Sequence, residues 1–129
     1  MTMDEELIDY MHKILVGSKV VLIGNTKYKD AFFKIARTLE IFGIVVLMPT
    51  VYSNYDGTTL TEKELYNLKT VFKTKIELSD FAIVINKDIG KHTREDIKYA
   101  EELGKRVLYI NNVYTNKEGT NNGNTKNTY

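Results

Sequence analysis

Between residues 80 and 110 the chain reads DFAIVINKDIGKHTREDIKYAEELGKRVLYI. Two short apolar runs, 81–85 and 106–110, flank a stretch with helical spacing. Such a unit has few ways to fold. Two buried strands joined by a crossover helix pair in parallel, with a right-handed connection. The first run ends in Asn86. A loop bearing Gly90 follows, and the spacing predicts a helix over 93–104, opened by Thr93 with Asp96 in its first turn. A hydroxyl, an amide and a carboxylate therefore gather near the carboxyl end of a buried strand, where open α/β sheets bind ligands.

The rest of the chain repeats the alternation. Residues 19–23 are a short apolar run ending at Gly24. Asp30 is placed to cap a helix whose apolar face is Phe32, Phe33, Ile35, Ala36, Leu39 and Phe42, with Gly43 as its C′ residue. Residues 44–48 are five apolar residues in a row, the pattern of a strand covered on both faces, and Pro49 ends them. The segment PTVYSNYDGTTL is polar and turn-rich, a long loop of the kind that often carries function. Thr61 and Glu64 fit a capping box for a helix running to about Ser79. The expected fold is a three-layer α/β/α domain over residues 18–110, Rossmann-like or flavodoxin-like. Its parallel sheet has four to five strands and central order 2-1-3-4. Residues 1–17 read as an amphipathic N-terminal helix. Residues 111–129 read as a polar tail too poor in apolar groups to offset its ordering entropy.

Composition narrows the function classes. With 129 residues the chain fits one domain. A net charge of +1 gives no bulk electrostatic case for nucleic acid or an anionic membrane. The absence of cysteine removes disulfides, thiolate metal sites and thiol nucleophiles, and fits a reducing compartment. No apolar run approaches a membrane span, and the acidic start MTMDEELIDYMHK is unlike a signal peptide. A cytoplasmic protein without metal or cofactor is expected. His12 and His92 lie far apart in the chain and form no metal-ligand cluster.

Four loops follow the four strands, and their polar residues should converge. Gly24, Asn25, Thr26 and Lys27 lie after the first; glycine admits a close backbone approach, and the others can hold phosphate or sugar oxygens. The segment is neither a P-loop nor a GxGxxG fingerprint. Tyr52, Asn54, Tyr55 and Asp56 lie in the second loop, where tyrosines can stack on a base. Asn86, Lys87, Asp88, Gly90, His92 and Thr93 follow the third strand. Asn86 can fix a ligand or bond its own loop. Asp96 has two readings from local sequence: a chemical group, or the partner of Thr93 in a capping box.

Three segments, read in order, resemble one family. LIGNTKYKDAFFKIARTLEIFGIVVLMP resembles the opening of nucleoside 2-deoxyribosyltransferase-like proteins. There a strand ends in Gly-Ser-Thr before a basic residue, an aromatic, Lys-Asp and an amphipathic helix. KIELSDFAIVIN resembles the family's Lys-Ile-x-x-(Ser/Ala)-Asp segment, and IGKHTREDIKYAEELGKRVLYI its Ile-Gly-x-Ser-Thr-x-x-Glu-Ile-x-Tyr-Ala block. The resemblance spans residues 19–110. It implies cleavage or exchange of the N-glycosidic bond of 2′-deoxynucleosides or their 5′-monophosphates, on a small-molecule site commonly built across a homodimer. It implies Asp96 as nucleophile, in place of the family's Glu. It implies that Gly24, Asn25 and Thr26 hold sugar or phosphate, and that Asn86, Gly90 and Thr93 line the pocket. Asp88 is the nearest substitute for the acid that assists the leaving base. Phe72 stands where related sequences often carry His or Asp. The alternative is a protein that keeps the nucleotide pocket without the chemistry, sensing or sequestering a nucleoside, a nucleotide or a derived signal.

Overall fold

A computed structural model describes residues 9, 13, 15–50, 59–86 and 89–110. Four strands, β1 (Lys19–Ile23), β2 (Val45–Leu47), β3 (Phe81–Val84) and β4 (Arg106–Tyr109), form one sheet in the order β2-β1-β3-β4. Every neighbouring pair is parallel, with Val20 opposite both Val46 and Phe81, and Ala82 opposite Val107. Three helices have both ends described: α1 (Lys29–Ile41), α2 (Glu62–Leu78) and α3 (Lys91–Glu102). The expected order 2-1-3-4 is thus observed, and the sheet has four strands among the described residues.

Strand side chains alternate between the two faces. Val20, Leu22, Ile83 and Ile85 pack with Phe32, Ile35 and Leu39 of α1, together with Leu15. Val21, Ile23, Ala82 and Val84 pack with Phe72 and Ile76 of α2 and Ile97 and Ala100 of α3. One layer is therefore α1, and the other is α2 with α3. The central strands β1 and β3 are apolar on both sides because both faces are covered. The edge strand β2 departs from that expectation. Val45 is half exposed, with Val46 and Leu47 only partly buried. An apolar run alone does not reveal which strand will lie at an edge.

Helix ends follow backbone chemistry. α2 carries the complete capping box: Thr61 accepts from the Glu64 amide, and Glu64 accepts from the Thr61 amide. α1 and α3 both end in Schellman turns. The amides of Gly43 and Ile44 reach the carbonyls of Glu40 and Leu39, and those of Gly104 and Lys105 reach Glu101 and Ala100. Gly43 and Gly104 take φ of +88° and +78° there. Two expectations at helix starts and faces are corrected. Asp30 lies inside the first turn of α1, where its charge suits the helix dipole; Tyr28 is the N-cap and no side chain caps it. Phe33 and Phe42 are partly exposed, the former because it lies about 100° around the helix from Phe32.

Residues 9, 13 and 15 are helical, and Leu15 is fully buried. Most of the expected helix over 1–17 lies outside the described residues, as does the tail 111–129. Among the described residues no helix is long and apolar enough to cross a membrane.

Candidate functional site

The α2 and α3 layer leaves a cavity of about 560 Å³ beside the carboxyl ends of β1 and β2. Its walls come from two helix faces. α2 contributes Leu68, Lys69, Phe72 and Lys73, and α3 contributes His92, Glu95, Asp96, Lys98, Tyr99 and Glu102. On each helix most of these residues recur three or four apart, which sets them on one surface. Gly24 and Thr26 follow β1, Pro49 and Thr50 follow β2, and together they line the remaining edge.

Asp96 lines this cavity, and the capping alternative for it is overturned. α3 begins two residues earlier than the sequence suggests, at Lys91 after the N-cap Gly90, and no side chain caps it. Thr93 is therefore the third helical residue and is buried; Asp96 is the sixth, a turn and a half inside. Burial pushes the Asp96 carboxyl up from 3.8 to about 6. His92 works against that shift, Glu95 adds to it, and Lys73 and Lys69 oppose it. His92 and Glu95 themselves form an exposed pair at 3.6 Å. A half-buried carboxylate in a concave site, with its proton affinity moved toward neutrality, marks Asp96 as a candidate functional group.

The loop after β1 is held from β3. The Asn86 side-chain oxygen accepts from the Asn25 amide at 3.0 Å. The Asn25 side chain in turn accepts from the Lys27 amide at 3.0 Å, and its carbonyl from Tyr28. Gly24 is required by this arrangement. A Cβ there would stand 2.5 Å from the Asn86 oxygen and 2.7 Å from Ile85 Cγ1. Of the loop residues proposed to touch a ligand, Gly24 and Thr26 line the cavity; Asn25, Lys27 and Asn86 do not, and the first and last are joined to each other. Gly90 and buried Thr93 also lie outside the lining. Asp88 and Lys87 are outside the described residues, as are Tyr52, Asn54, Tyr55 and Asp56.

The segment 75–80 has an architectural role at every position the resemblance rests on. Lys75 donates to the Met48 carbonyl at 2.7 Å, tying α2 to the end of β2. Ile76 is core, and the buried Ser79 hydroxyl donates to the Ile76 carbonyl. Asp80 accepts from the Lys19 amide at 2.9 Å, fixing where β1 starts relative to β3.

Of the α2 wall, sequence reasoning reaches Phe72 but misses Leu68, Lys69 and Lys73. Lys69 and Lys73 are ordinary solvated lysines in a linear reading, and only their register with Leu68 and Phe72 on the apolar face hints otherwise. Tyr99 also lines the cavity; its hydroxyl donates to Glu77, which raises its pKa, and Lys73 sits 5.3 Å from its ring centre. Among the described residues no three His, Asp or Glu side chains gather as a metal site. Neither the family models nor the curated proteins compared with this chain match it.

Proposed function

We propose that the cavity cleaves or transfers across the N-glycosidic bond of a nucleoside or nucleotide, with Asp96 as nucleophile. One observation carries the reading: Asp96 faces a cavity at the carboxyl end of the sheet instead of capping its own helix. The sequence resemblance supplies the chemistry. An Asp96 oxygen attacks the anomeric carbon of the 2-deoxyribose as the C–N bond breaks, through an oxocarbenium-like state. The bonding pair leaves with the base, which takes up a proton from solvent. Water then adds at the anomeric carbon and releases the carboxylate, or a second base does so and the sugar is transferred. With a pKa of about 6, Asp96 is mostly ionised at neutral pH, as a nucleophile must be.

A second reading, binding without cleavage, is favoured by Phe72. It lines the same cavity and can neither hydrogen-bond nor move a proton. Incubation with the four deoxynucleosides and their monophosphates, followed by chromatography for free base, separates the two. Base release that disappears in Asp96→Ala supports the enzyme. Ligand-induced thermal stabilisation without base release supports the binder. The absence of both sets both readings aside.

A further inference from the structure

The two long walls of the cavity differ in charge. α3 presents Glu95, Asp96 and Glu102 with Lys98 among them, whereas every charged residue that α2 presents is a lysine. Lys69 and Lys73 are one helical turn apart, close enough for both ammonium groups to reach one anion. Neither has a hydrogen bond or ion pair with a described residue; Lys73 rests by the Tyr99 ring. Two cations beside an apolar floor of Leu68 and Phe72 form an electrostatic seat, and no described carboxylate is ion-paired with either of them.

The other candidate anion seat is the loop after β1, and its donors are largely engaged. The Asn25 amide is bonded to Asn86, the Lys27 amide to the Asn25 side chain and the Tyr28 amide to the Asn25 carbonyl. Thr26 is what that loop still offers the cavity. Resting on the nucleotide reading above, we infer that Lys69 and Lys73 of α2 seat a phosphate carried by the ligand, so that the cavity selects nucleotides over nucleosides. The acidic wall then faces the sugar, where positive charge develops, while the lysine wall holds the negative end. Both lysines also favour the ionised form of Asp96, so their charge serves the carboxylate while the seat is empty.

The test is calorimetric titration of each 2′-deoxynucleoside 5′-monophosphate and its parent nucleoside, with inorganic phosphate as competitor. The parent protein should bind a monophosphate about 10²-fold more tightly than the nucleoside, as two charge-assisted contacts allow. The Lys69→Ala/Lys73→Ala double variant should bring the two within about threefold, while Lys63→Ala, on the same helix outside the cavity, keeps the difference. Equal affinities in the parent, absence of binding by either ligand, or a preference that survives the double variant overturns the inference. A lysine-dependent preference without base release leaves the phosphate seat standing and removes the cleavage. Base release from nucleosides and monophosphates alike does the reverse.

Discussion

At the scale of single residues, two positions have consequences that a linear reading does not give. Gly24 has no room for a side chain, since its Cβ would meet both Ile85 and the Asn86 oxygen that holds the loop. Gly24→Ala is expected to destabilise the fold by about 1–3 kcal/mol through overpacking, and to weaken ligand binding by displacing Thr26. Chemical denaturation and titration of the same variant check the two effects together. Thr93 offers the opposite case. Were it an N-cap, its loss would cost ~1 kcal/mol. As a buried third residue of α3 it should accept valine with unchanged or slightly higher stability. A fall of about 1 kcal/mol in Thr93→Val would restore the capping role.

At the scale of elements, legibility followed the locality of the signal. The strands were readable because a central parallel strand is apolar on both faces, and β1 and β3 are buried beyond their first residues. The start of α2 was readable because a capping box is complete within four residues. The start of α3 was not, because a Thr-x-x-Asp spacing fits a cap in sequence while Gly90, a less distinctive residue, takes the position. The cavity was legible only in part. Asp96, Gly24 and Thr26 carry local cues, but the lysines of α2 enter through packing of α2 beside α3 on the sheet, which no short pattern encodes. The element-scale prediction concerns the start of α2. Thr61→Ala removes one half of the capping box and should cost ~1 kcal/mol, read as a lower denaturation midpoint, with Thr61→Ser restoring most of it.

At the scale of the whole molecule, the two sheet faces divide their tasks. The α1 face packs Leu15, Phe32, Ile35 and Leu39 fully buried against the sheet. The α2 and α3 face combines core with an open cavity, and there a carboxylate is held where it is poorly solvated. That placement sets a pH dependence for folding. Asp96 titrates at 3.8 in the unfolded chain and at about 6 in the native one. Between those values the native state binds more protons, so stability falls as pH rises through the window and stays lower above it. A fully buried group with this shift would cost roughly 3 kcal/mol, and solvent screening of a half-buried one reduces that to about 1–2 kcal/mol. Asp96→Asn removes the charge at all pH values. It should therefore be more stable than the parent by that amount at about pH 8, with the gain shrinking as pH falls through 6 and gone below 3.8. Base release by the parent should move the other way, rising with pH through about 6 as the nucleophile ionises. Urea denaturation of parent and variant across this range is the measurement. A variant less stable than the parent at about pH 8 would mean that the Asp96 charge is stabilising, and that its neighbours Lys69, Lys73 and His92 outweigh its burial.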